Sequence, residues 1–172
     1  MKKATCVYCV NEATNQVLMA WQQKKIVGLK GYGGVFDPDA GDITMEDCAV
    51  REFKEESGLD IFPEHLELFA RVVFYNGTVE EVPEENPSFE VWFYRYRHPL
   101  QGTPVSTPEM QNPDWFPMGE ALPLADMIQG DEYFIPSVLA GTPTSGRIRR
   151  TSDWKKILEK QFECCTPQDL AA

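Results

Sequence analysis

The chain has 172 residues, 42% of them hydrophobic and 12% aromatic, which predicts one globular domain over residues 1–172 and excludes a disordered chain. Its formal net charge of -11 repels nucleic-acid backbones, so no nucleic-acid partner is expected. The same acidity tolerates a small anionic substrate, because a bound divalent cation reverses the field locally.

Five cysteines, an odd number without the spacing of a disulfide framework, predict free thiols and a cytoplasmic protein. Cys6 and Cys9 have the spacing of half a zinc site, but no second pair accompanies them. They read as small apolar residues of a strand. Met1-Lys2-Lys3 followed by Ala4 to Val10 is too short for a secretory leader, and no apolar run reaches spanning length, so no membrane partner is expected.

In chain order, Ala4 to Val10 and Gln16 to Trp21 predict two strands joined by a turn over Asn11 to Asn15, a hairpin. Lys30-Gly31-Tyr32-Gly33-Gly34 is a glycine-rich turn, and Phe36 to Asp42 an acidic loop. Thr44 to Ser57 carries the clearest helical signal, with Thr44 as N-cap, Glu46 and Asp47 in the first turn and Gly58 closing it. Leu66 to Phe74 and Phe89 to Tyr96 are aromatic and β-branched strands flanking a solvated acidic loop, Gly77 to Asn86. Asp114 to Pro117 predicts a short strand, and Tyr133 to Leu139 a helix ended by Gly141. The basic tail from Gly146 onward has helical spacing at Trp154, Ile157, Leu158, Gln161 and Phe162 but reads equally as a strand, so 146–172 is left unassigned. Hairpins with few helical crossovers predict an α+β fold, helices flanking a mixed sheet.

On the central helix, Met45, Ala49 and Phe53 form an apolar stripe at i, i+4, i+8. Glu52, Glu55 and Glu56 form a stripe beside it. Three carboxylates at that spacing repel one another when ionised, and a solvated acidic face is one account of them. A hard divalent cation that takes oxygen ligands is another, and it gives the arrangement a purpose. Arg51 lies one turn before Glu55, where it can pair with that residue.

The run Arg51-Glu52-Phe53-Lys54-Glu55-Glu56-Ser57-Gly58-Leu59 resembles the second half of the Nudix hydrolase box, Gly-x5-Glu-x7-Arg-Glu-U-x-Glu-Glu-x-Gly-U, U being an apolar residue, at every fixed position. The first half departs: Ile43 stands where the family has Glu, Asp42 is the nearest acid, and Gly34 lies further upstream than the pattern allows. Gln16-Val17-Leu18-Met19, Gly31 to Gly34, Gln101 to Val105, Glu109-Met110, Trp115-Phe116 and Asp131 to Pro136 fall in the order seen in the branch of the family that acts on oxidised purine nucleoside triphosphates.

The resemblance implies a Nudix-type α/β/α sandwich with a mixed central sheet, and a Mg²⁺ cofactor for which Mn²⁺ can substitute. It implies Glu52, Glu55, Glu56 and the Gly34 carbonyl as metal ligands, Glu52 as general base and Arg51 beside it in the catalytic group. Thr5, Gln22, Lys30 and Asp131 fall at substrate-binding positions. The implied reaction cleaves a nucleoside triphosphate to monophosphate plus pyrophosphate, a nucleotide-pool sanitising role. Hydrolysis of another diphosphate derivative such as ADP-ribose or a dinucleotide, and a non-catalytic nucleotide sensor, stay open, and the oligomeric state is not fixed by sequence. The base pocket departs from that branch: Lys30 replaces an Asn, Gly130-Asp131 keeps one acid of a pair, and Ile128 replaces a Trp. Asp131 reads either as a base-contacting acid or as a helix N-cap. Glu90 reads as an edge carboxylate on the solvent face, with a second-metal role as the alternative. The Arg147, Arg149, Arg150 cluster reads as a solvated strand face, with contact to a triphosphate tail as the alternative. Trp92, Trp115, Tyr133 and Phe134 read mostly as core, with stacking on a base as the alternative, and Cys48 as a packing residue open to thiol reagents. His65 and His98 read as surface residues.

Overall fold

A computed structural model describes residues 1–23 and 27–171. Eight strands form a single mixed sheet in the order β3-β2-β1-β5-β4-β7-β8, with β6 pairing along β2. The strands are β1 (Lys2–Asn11), β2 (Gln16–Gln22), β3 (Gly28–Lys30), β4 (Leu66–Asn76), β5 (Phe89–Tyr96), β6 (Met110–Pro117), β7 (Thr144–Arg150) and β8 (Ile157–Cys164), and the helices α1 (Met45–Ser57), α2 (Ile135–Ala140) and α3 (Pro167–Ala171). β1 and β2 form the expected antiparallel hairpin. β1 runs parallel to β5 and β4 parallel to β7, so the sheet is mixed.

The tail left unassigned by sequence is a β-hairpin, β7 with β8, that extends the sheet beyond β4. Its helical spacing was overridden because Ile148 and Phe162 pack against the core as strand residues. The short strand at Asp114 starts four residues earlier, at Met110, where pairing to β2 begins.

Period-two alternation divides β1 between two cores. Cys6, Tyr8 and Val10 face α2, with Val72, Phe93, Phe134, Ile135 and Val138. Val7 and Cys9 face α1, with Leu18, Tyr32, Met45, Ala49, Phe53 and Tyr94. Met45, Ala49 and Phe53 of the predicted stripe are buried, and burying a side chain of Phe53's size stabilises by roughly 1.5–3 kcal/mol. Thr44 caps α1 through a reciprocal box: its hydroxyl accepts from Asp47 N, and the Asp47 carboxylate accepts from Thr44 N. All five cysteines are free thiols. No helix among the described residues is long and apolar enough to cross a membrane.

The site is positioned where β1 and β2 separate. β2 pairs with β1 over Gln16 to Leu18, then with β3 over Ala20 to Gln22. The freed edge of β1 is taken by the glycine turn, with Thr5 N donating to Gly34 O (2.9 Å) and Val7 N to Tyr32 O (2.6 Å). That brings the turn under α1. A Cβ at Gly33 would fall on the Thr5 carbonyl, and one at Gly34 would sit 2.5 Å from the Glu52 carboxylate.

Candidate active site

The three glutamates of α1 sit in three environments. Glu55 is exposed, with 59% of its side-chain surface free. Glu52 is half-buried, its carboxylate against the Cα of Gly34. Glu56 is buried and accepts from Gly33 N at 2.8 Å. Burial raises the Glu52 pKa despite the hydrogen bond from Arg51. It pushes Glu56 up to about 7, against the opposing pull of Lys30 and the Gly33 N–H. As the helix stands, the three carboxylates do not converge, and no group of three acidic, His or Cys side chains among the described residues forms a ready-made metal cluster.

Arg51 ties this surface together. Its Nε and Nη2 donate to the two carboxylate oxygens of Asp42 at 2.9 and 2.7 Å. Its Nη1 donates to Glu52 at 2.9 Å and to Glu55 at 3.3 Å. The Arg51 hydrogen bonds hold the Asp42 carboxyl below the usual carboxylate range. Ile43, which stands at the motif's missing acid, is 86% exposed. Its neighbour Asp42 supplies the carboxylate that clamps Arg51.

On the far side of the glycine turn lies a pocket of about 270 Å³. Thr5, Gln22, Lys30 and Asp131, the four residues placed at the substrate by resemblance, all line it. Gly33 lines it too, so the pocket opens beside the Glu56 end of the helix. Lys30 Nζ donates to Gly33 O at 3.0 Å and stands between the acids on both sides of the turn. The Thr5 hydroxyl lies 3.5 Å from Cys48 Sγ of α1.

Asp131 does not cap a helix. The short 3-10 turn Asp131–Tyr133 has Gly130 at its N-cap and no side-chain cap bond, and Glu132 instead accepts from Gly130 N at 2.7 Å. The Asp131 side chain is buried in the pocket wall, where burial pushes its pKa up to about 7 against the lowering fields of Arg150 and Lys30.

Other readings change with the tertiary structure. Arg149 and Arg150 are buried rather than solvated. Arg149 donates to the carbonyls of Gly77, Thr78 and Val82 and pairs with Glu84 at 2.7 Å, and Arg147 pairs with the same Glu84 at 3.1 Å, so the acidic loop is tied to β7. Glu90 is buried and paired with Arg71 at 2.6 Å, neither solvated nor free for a metal. His65 and His98, isolated in sequence, stack at 4.2 Å on the surface. Cys48 is buried beside Asp42 and Glu52, and burial pushes its thiol up to about 11, so it is not a reactive thiolate. None of Trp92, Trp115, Tyr133 and Phe134 lines the pocket. Its tryptophan is Trp154. Sequence reasoning offered Arg150 only as a contact to a triphosphate tail, behind a solvated face, and missed Trp154, because the tail that carries them had no assigned path. A signal was present: a Trp and an Arg four residues apart in a turn-rich basic segment.

Residues 1–138 match the family model of the NUDIX domain. The chain is 31% identical over 141 residues to the oxidized purine nucleoside triphosphate hydrolase of Mus musculus, covering 77% of this chain and 83% of that protein. Its fold is similar to that of a MutT protein from Bacillus halodurans (TM-score 0.74, 19% identity, 95% of this chain and 98% of that one). It is also similar to a NUDIX hydrolase from Nitrosomonas europaea (TM-score 0.61, 18% identity, 87% and 79%). Another similar structure is a bifunctional NMN adenylyltransferase/ADP ribose pyrophosphatase from Francisella tularensis, complexed with AMP and a Mn ion (TM-score 0.55, 16% identity, 81% and 41%). With an α1 whose acids meet a glycine turn at a pocket mouth, the chain belongs to the Nudix hydrolases.

Proposed function

We propose that the chain is a divalent-metal-dependent pyrophosphohydrolase that cleaves a nucleoside triphosphate, of the purine and oxidised-purine class, to monophosphate and pyrophosphate. One observation carries this reading: Glu52 and Glu56 meet the Gly33-Gly34 turn at the mouth of a pocket of base size, about 270 Å³. The mouse relative, whose name states that activity, supports the substrate class.

The donor set fits a hard cation. Carboxylates of Glu52 and Glu56 and the Gly34 carbonyl offer oxygen only, and the place of a Cβ at Gly34 is filled by the Glu52 carboxylate. Glu55 can join them by leaving its exposed contact with Arg51. Mg²⁺, or Mn²⁺ in its place, would be held by these groups, lowering the pKa of a water and neutralising charge on the phosphates.

The chain's own groups supply the rest. Glu52, half-buried against the glycine turn, accepts the proton of the attacking water as general base. Arg51, fixed by Asp42, holds Glu52 in place. Lys30 lines the pocket beside the Gly33 carbonyl and supplies positive charge for an anionic substrate. Phosphoryl transfer needs chiefly such positioning and charge neutralisation.

The test is product analysis on canonical and oxidised purine triphosphates, ADP-ribose and a dinucleotide, with Mg²⁺ and with excess chelator. Monophosphate plus pyrophosphate from the triphosphates, abolished by chelator, is expected. Turnover in chelator refutes the metal mechanism. Cleavage of ADP-ribose or the dinucleotide in preference to triphosphates refutes the substrate class, and tight binding with no turnover of any of them leaves a sensor.

A further inference from the structure

The family match ends at residue 138, yet the pocket wall is completed by two residues beyond it, Arg150 at the end of β7 and Trp154 in the turn to β8. The Arg150 guanidinium packs against two rings, 4.6 Å from the Phe74 centroid and 4.0 Å from that of Trp154. Trp154 reaches this place through a left-handed backbone conformation (φ 64°), held by its N–H on the Thr151 carbonyl at 2.8 Å. A bulky residue adopts that conformation at a cost unless its side chain is anchored.

With aromatic rings packed over the guanidinium carbon, its N–H donors are left to make the hydrogen bonds. Nε donates to Asn76 Oδ1 at 3.2 Å and Nη1 to the Gln129 carbonyl at 3.1 Å. Nη2 makes no hydrogen bond to a described residue. Arg150 is only 3% exposed, so the pocket is where Nη2 can find an acceptor. Asp131 lines the same pocket, its side chain buried there beside Tyr8. The two charges are close enough to shift each other's ionisation but are not in ion-pair contact. The pocket therefore offers a fixed donor beside a group that accepts or, when protonated, donates.

We propose that Arg150, clamped by Phe74 and Trp154, is a specificity-determining residue that reads the acceptor edge of a 6-oxopurine and disfavours a 6-aminopurine. Guanine presents O6 and N7 as neighbouring acceptors, which arginine matches, whereas adenine places an amino donor at position 6. An amino group facing Arg150, with Lys30 as the pocket's other cation, leaves donors opposed and unsatisfied. The proposal rests on the nucleotide reading above, and it moves part of base recognition onto a hairpin that the family model does not include.

Its test needs no turnover. Binding of guanosine and adenosine monophosphates to the full chain is measured by calorimetry without metal, for the wild type, Arg150→Lys and Arg150→Gln. The wild type is expected to favour the guanine nucleotide by about 10- to 100-fold. Arg150→Gln should bring that ratio near one chiefly by weakening guanine binding, and Arg150→Lys, which keeps the charge but not the planar fork, should fall between. Should Arg150→Gln fail to fold, Arg150→Lys carries the test. Equal or absent wild-type binding of the two nucleotides, or a ratio unmoved in the folded variants, overturns the proposal. Failure of pyrophosphate release together with a persistent guanine preference would instead fault the hydrolytic reading alone.

Discussion

Replacing Asp131 by Asn should flatten one component of the protein's pH-dependent stability. In the unfolded chain this carboxyl ionises near its ordinary 3.8, while burial in the folded pocket pushes it up to about 7. Between those values the folded state holds a proton that the unfolded state has released, so stability falls as pH rises. The loss begins above about pH 4 and is complete once the folded group has ionised. From pH 5 to pH 8 it amounts to roughly 2–3 kcal/mol, taking 1.36 kcal/mol for each unit by which the two states differ over that interval. The fields of Arg150 and Lys30 already moderate the folded value, and with Asp131 6% exposed little solvent screening remains. Asn keeps the shape and removes the ionisation. The assay is urea unfolding of both proteins at pH 5 and pH 8, without metal, because the difference between the two proteins cancels every other titrating group. The gap should shift in favour of Asp131→Asn by roughly 2–3 kcal/mol on going to pH 8, or roughly 4–12 °C in Tm. Stability curves that stay parallel would show that Asp131 ionises in the folded protein as it does in water, and its place as a desolvated pocket acid would be lost.

Glu56→Gln retains an acceptor for Gly33 N–H but loses the charge, so turnover with saturating Mg²⁺ should drop at least a hundredfold, on the order of what a misplaced reacting group costs, while metal-free Tm stays within a few degrees; near-normal turnover removes Glu56 from the metal site. Asp42→Ala removes both hydrogen bonds that clamp Arg51 and should destabilise by about 1.5–3 kcal/mol and lower kcat more than it raises KM. Ile43→Glu, at an exposed position, should change stability by no more than about 0.5 kcal/mol, as denaturant unfolding will show. Iodoacetamide at pH 7 should alkylate the exposed Cys164 and spare Cys48, whose thiol is pushed up to about 11; peptide mass spectrometry reads the outcome, and rapid labelling of Cys48 contradicts its burial.

The sequence by itself determined what is local. The helix from Thr44 was legible because its cap, first-turn acids and closing glycine lie within fifteen residues of one another, and its apolar stripe fixed which side is buried. The carboxylate spacing was legible for the same reason, and so was the family. Period-two patterning marked the strands, including the hairpin that opens the chain.

What the sequence could not decide was which charges become buried and with whom. Glu52, Glu55 and Glu56 look alike on a helix, and only the packing of the glycine turn against one side buries Glu56 while leaving Glu55 in water. The clamp on Arg51 joins residues nine apart across an irregular loop, and the Glu90–Arg71 pair joins two neighbouring strands. Arg150 and Trp154 enter the pocket only because β7 pairs parallel to β4, which sets Arg150 opposite Asn76 and beside Phe74. Such placements depend on contacts far apart along the chain. Local propensity carries no term for them, while desolvation and charge pairing act only once the sheet has brought the groups together.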